Sequence, residues 1–130
     1  MANLTQNRNT RALALAGASY VDPVAAAVRI FKGAMVALDA SGNAIPAAPT
    51  AAAMRGCALD DGADNSTGAA GAASVKTNKG VFLFNQTGLD RTDIETEVSV
   101  LDDNTVGGAG ALKAGILKDI TSEGAWVEIL

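Results

Sequence analysis

The side chains of this 130-residue chain with the clearest chemical potential are carboxylates, and they gather in two places. Asp60, Asp61 and Asp64 share one segment, where closely spaced oxygen ligands could hold calcium. An EF-hand loop needs Asp or Asn at its third position; Gly62 stands there, and no Glu closes the loop. A solvated acidic turn accounts for these residues better. Asp102 and Asp103 could form an acid–base couple. With Asn104 they also make a turn in which short polar side chains bond the local backbone, a reading that needs no catalysis. Gly107-Gly108-Ala109-Gly110 imitates a phosphate-cradling loop, but Lys113 is followed by neither Ser nor Thr, and a strand pattern comes next, so it reads as a linker.

The chain has no histidine, which removes histidine bases, Ser-His-Asp triads and most zinc sites. Cys57 is the single cysteine and lies in an apolar run, so it reads as a small buried hydrophobe. Asn3-Leu4-Thr5, Asn65-Ser66-Thr67 and Asn85-Gln86-Thr87 match the glycosylation pattern; without a secretory signal they read as chance. No catalytic, cofactor-binding or metal-binding residue is expected, and the chain reads as a non-enzyme. What remains are contact residues. Trp126, the single tryptophan, either fills a second core layer or anchors an interface. Arg8 and Arg11 lie in a polar N-terminal stretch that reads either as ordinary solvated tail charge or as an arm of the kind that orders against a partner. The interface candidates are Thr5, Arg8, Arg11, Leu13 and Trp126.

Elements must hold these residues in place. The length suits one domain. Hydrophobic residues make up 48% of the chain, but many are alanines, and aromatics are only 4%, so the core is expected to be thin. A homo-oligomer that shares its core follows as an expectation. A net charge of −4 disfavours binding along a nucleic-acid backbone. No apolar run approaches the roughly 20 residues of a membrane span, and the N-terminus carries no apolar signal region.

Residues 1–20 read as an arm, polar to Thr10 and then strand-like, with Leu13 and Leu15 on one face; residues 21–130 read as one β-rich domain. Strand–turn–strand is expected over 28–38, with a helix at 23–29 as the competing reading, since Asp22-Pro23 also makes a good helix start. Asp39–Asn43 is a turn, and Ala44-Ile45 a short return strand. Met54–Leu59 is a strand; residues 60–71 form a loop too polar and glycine-rich to pack. Alternation restarts at Ala73, Asn78-Lys79-Gly80 supplies a turn or a glycine bulge, and Val81–Phe84 is a central strand. Thr92 with Glu95 fits a capping box opening one helical turn. Strands follow at 98–100, 105–106, 114–120 and 125–130; in the last, Ala125, Val127 and Ile129 share one face. Short strands joined by Gly, Asp and Asn turns predict a mainly β fold, a small barrel or sandwich with short helical turns and an extended N-terminal arm.

Several stretches in order resemble the capsid decoration (cement) proteins of tailed bacteriophages. They are Lys32-Gly33 through Leu38 with the turn at 39–43; Arg55-Gly56-Cys57-Ala58-Leu59-Asp60-Asp61; Val75 through Phe84; Val98 through Val106; and Ala114-Gly115-Ile116-Leu117 leading to Trp126-Val127. Together they cover most of residues 28–130, and their order and spacing carry the resemblance. It implies a β-barrel-like body without catalytic residues or cofactors. Such a body binds the outer surface of the phage head, often as a trimer, and clamps major capsid subunits. The implied partner is the major capsid protein, with neither nucleic acid nor membrane. The implied location is the virion, after synthesis in the bacterial host cytoplasm. A ligand- or carbohydrate-binding module of a tail fibre, with Trp126 and the 60–71 loop lining its site, and a head–tail joining or tail subunit are the alternatives.

Overall fold

The computed structural model describes residues 2–130, and for residues 14–17 the backbone alone. Its centre is a 13-residue strand, β7 (Ser74–Gln86). Asn78-Lys79-Gly80 does not turn the chain: β7 runs through it, and the irregularity appears in the partner strand β1 (Ala12–Pro23), whose register shifts between Leu15 and Ser19 opposite this point. Along Val81 and Phe82, β7 is paired on both edges, by β1 and by β11 (Gly124–Ile129).

From β7 a five-stranded ring closes. β11 pairs antiparallel with β10 (Lys113–Thr121), β10 with β8 (Glu97–Asp102), and β8 with β9 (Thr105–Gly107). β9 then returns to β7 in parallel, Asn85 opposite Thr105. Alternation dictates what fills the ring. Ala125 sits opposite Phe84 and Val127 opposite Phe82, and all four are buried in one cluster with Val98, Val100, Val106, Leu117 and Ile129. The Phe82 and Phe84 rings meet at 6.3 Å between centroids. Gly115 is required where β10 passes β11, because a side chain there would collide with the Glu128 carbonyl.

Outside the ring, β5 (Ala53–Cys57), β3 (Met35–Leu38) and β4 (Ala44–Pro46) extend the sheet from Asn78 of β7. β3 is buried on both sides. Met35 and Ala37 join the ring's cluster, while Ala34 and Val36 join a second cluster with Val24, Ile30, Ala44, Ala58 and Val75. That explains why 34–38 is an unbroken apolar run: a strand between two cores has no solvent face. A two-stranded ribbon, β2 (Val28–Ile30) with β6 (Ala63–Asn65), covers the second cluster.

The expected mainly β barrel is thus present. The strand–turn–strand reading of 28–38 holds, and no helix forms at 23–29. Two further expectations are corrected. The 60–71 segment packs: it contributes β6, and Asn65 is buried because its Nδ2 donates to the carbonyls of Ala25 and Ala69, both at 2.9 Å. The capping box lies two residues earlier than expected, with Asp90 as the cap and Asp93 its partner, around a 3-10 turn (Arg91–Asp93); Glu95 instead adopts a positive φ of 74°. The expected shared face of Leu13 and Leu15 cannot be compared, since the Leu15 side chain lies outside the described residues.

Phe82→Ala should lower stability by about 3–5 kcal/mol, because it empties the ring's centre. Leu13→Ala, at a site 68% exposed, should cost less than about 0.5 kcal/mol. Urea melts of the two variants check the contrast.

Candidate functional site

Asp102 ends β8, Thr105 begins β9, and the tight reversal between them places Asp102, Asp103 and Asn104 in the interior rather than in water. The turn is held from four directions. Its own cap is the Asn104 N–H donating to Asp102 Oδ1 at 3.0 Å. From β3, the Met35 N–H donates to the Asp103 carbonyl at 2.7 Å. From β7, the Asn85 N–H donates to the Asn104 carbonyl at 2.9 Å, and Asn85 Nδ2 to Asn104 Oδ1 at 2.8 Å. From the N-terminus, the Leu4 N–H donates to Asp103 Oδ1 at 2.9 Å, and Asn104 Nδ2 donates to the Ala2 carbonyl at 3.0 Å.

The chain between Ala2 and Arg11 is therefore a strap laid on the body. Beyond the turn, Asn7 Oδ1 accepts from the Lys32 N–H at 2.9 Å, and the Arg8 N–H donates to the Lys32 carbonyl at 2.7 Å. Thr10 Oγ1 donates to the Gly33 carbonyl at 2.6 Å. Gly33 has a φ of +90°, and a side chain there would run into the Arg8 carbonyl and the Thr10 hydroxyl. Glycine at this position is what lets the strap lie flat. The expected boundary at 20/21 between arm and domain falls inside β1.

The five interface candidates lie in different settings. Thr5 is exposed. Arg8 turns inward: Nη1 donates to the Leu83 carbonyl at 2.9 Å and to Thr10 Oγ1 at 3.1 Å, and the guanidinium lies 5.8 Å from the Phe84 ring centroid. Burial lowers its pKa, while the nearby Cys57 and Asp103 act the other way. Arg11 pairs with Glu123 and stands 5.5 Å over the Trp126 ring. Trp126 Nε1 donates to Thr121 Oγ1 at 3.4 Å, and the tryptophan is 9% exposed. Leu13 stands out in solvent. Strap and last strand thus meet at Arg11 and Trp126, while Thr5 and Leu13 stand apart as outward-facing residues.

Two positions were missed by sequence reasoning. Val21 is 67% exposed on β1, and Asn104 is buried at the hub. Asp-Asp-Asn is an ordinary solvated turn unless it is known which elements pack on it. One usable signal was its place between two apolar strands with almost no connecting length.

Asp61 is exposed, and Asp60 pairs loosely with Lys76 at 3.8 Å. Asp64 Oδ1 accepts from the Ser66 N–H and hydroxyl, which holds its carboxyl below the ordinary value. Among the described residues no three potential metal ligands converge, and no pocket opens. Comparison of the chain with known protein families, with curated proteins and with solved structures finds no match.

Burial raises the Asp103 carboxyl above its ordinary value; the Asn104 and Leu4 donors oppose the shift and neighbouring Asp102 adds to it. A raised carboxyl favours the folded state most below the unfolded pKa, and that contribution is lost as pH climbs through the folded pKa. Asp103→Asn keeps an acceptor for Leu4 without a buried charge. It should match or exceed the parent in stability at pH 7, and the difference should close on acidification. Asp103→Ala should cost about 1–3 kcal/mol through the stranded donors. Urea titrations at several pH values check both signs.

Proposed function

We propose that the chain is a structural virion protein that binds the outer surface of a phage head and stabilises contacts between major capsid subunits, as a homotrimer. The order of the five sequence stretches that resemble decoration proteins carries this reading. The fold is compatible with it in a specific way. The barrel is filled by its own side chains, the close packing that a body clamping its neighbours needs. A clamp also needs a contact surface. β1 is paired along one edge by β7, and the exposed large apolar residues Leu13 and Val21 both stand on it. Among the described residues the other exposed one is Leu130.

The contact set proposed here is therefore Leu13 and Val21, with Thr5 on the adjoining strap. Arg8, Arg11 and Trp126 make contacts within the chain that fix the strap on the body. A single protomer of 13.0 kDa offers a small patch. Three linked copies make the later contacts intramolecular, and avidity replaces area.

The test is addition of purified protein to undecorated, expanded heads, followed by imaging of the shell. Ordered density outside the shell, lost in the Leu13→Asp/Val21→Asp double variant while that variant keeps its melting temperature, supports the reading. Absence of parent-protein density at saturating concentration contradicts it. A solution mass of three protomers is expected; a ring of about six or more would favour a joining role instead.

A further inference from the structure

Asp61 is the single aspartate of the chain that is followed by glycine, and no asparagine precedes one. The carboxylates of Asp39, Asp64 and Asp90 are committed locally: they accept from the N–H groups of Ser41, Ser66 and Thr92, two residues on. Asp61 is exposed, and its carboxyl has no hydrogen-bond or ion-pair partner among the described residues. Nor does any group among them accept from the Gly62 N–H. We propose that Asp61-Gly62 is a self-modification site, at which the folded chain rearranges to a β-linked isoaspartate.

The chemistry needs only water. The Gly62 nitrogen attacks the side-chain carbonyl carbon of the neutral Asp61 carboxyl. A carbon–nitrogen bond forms, the carboxyl hydroxyl leaves as water with the amide proton, and a cyclic succinimide results. Water then adds at the main-chain carbonyl carbon of Asp61, and the original peptide bond breaks there, while the nitrogen stays bonded to the side-chain carbon. The freed main-chain carboxylate replaces the one consumed, so mass and charge are unchanged. Glycine matters because it has no side chain to obstruct the attacking nitrogen, and Gly62 holds a φ of +73° that glycine alone adopts readily. The product carries one more backbone carbon directly before β6. The fold has no slack for it: Gly62 lies so close to the Ile30 carbonyl and the Lys32 N–H that even a Cβ would collide. Ala63, the next residue, pairs with Ile30 in the β2–β6 ribbon, and Ile30 is buried in the second cluster. The rearrangement therefore unseats the ribbon from the second cluster. The ring is spared, since its cluster draws nothing from residues 60–65.

Ageing the full-length chain at neutral pH and physiological temperature in heavy-oxygen water tests this. Reopening of the succinimide writes one heavy oxygen into the peptide that carries it, and isoaspartyl methyltransferase with electron-transfer fragmentation reports the β-linkage. Both signals should accumulate in the peptide containing Asp61-Gly62 and in no other aspartate-containing peptide. Asp61→Glu, an exposed substitution that keeps the charge, should abolish them without shifting the melting temperature. In the modified fraction, amide exchange should rise at Ile30 and Asn65 while Val127 stays protected. The proposal is overturned if the folded chain gains neither signal at Asp61, whether or not the urea-unfolded chain does, or if other aspartates gain them equally. It is overturned as well if the modified fraction keeps the ribbon amides protected.

Discussion

One tight turn organises this molecule. The Asp103 carbonyl accepts from Met35 and the Asn104 carbonyl from Asn85, so the β8–β9 reversal is tied to β3 and to β7 at once. Buried backbone groups left without partners cost free energy comparable to a lost hydrogen bond. A turn pressed into the interior is tolerable only because neighbours from separate parts of the chain satisfy it. The strap's N-terminus completes the set through Leu4 and Ala2. The satisfaction is not total: Asp102 Oδ2 has no hydrogen-bond partner among the described residues. The arrangement therefore has a cost, and burial of the Asp103 carboxyl adds to it.

Around that hub the two apolar clusters share β3. Because Met35 and Ala37 face one way and Ala34 and Val36 the other, neither core can reorganise without moving the strand that serves both. With only 4% aromatic residues, the chain compensates for thin side chains by close backbone approach. Gly115 beneath Glu128 and Gly33 beneath the strap are two of the places where the backbones come too close for a side chain. The result is a body whose stiffness comes from shared strands and satisfied turns, which is the mechanical property the proposed clamping role asks for.

The ring's strands were legible because period-two alternation is a local signal: Ala125, Val127 and Ile129 announce their shared face without any partner. The continuous run at 34–38 was legible as a strand but not as one with two buried faces, since that depends on where a second core forms. Buried polar residues were the least visible. Asn65 and Asn104 are interior because distant carbonyls and amides await them, and no local pattern carries that information. For the same reason the bond from the Arg8 guanidinium to the Leu83 carbonyl has no local signal in the sequence. The expected capping box lies two residues off because Asp90 and Thr92 are both good cap types, and it is the Asp90 side chain that accepts from the Thr92 N–H.

Native-state hydrogen exchange tests the hub most directly. The Met35 and Asn85 amides should exchange only through global unfolding, with the same free energy as the Val127 amide at the barrel's centre. If the Met35 amide instead exchanges through a local opening well below that free energy, β3 and the ring are separate units, and the turn at 102–104 does not hold them together.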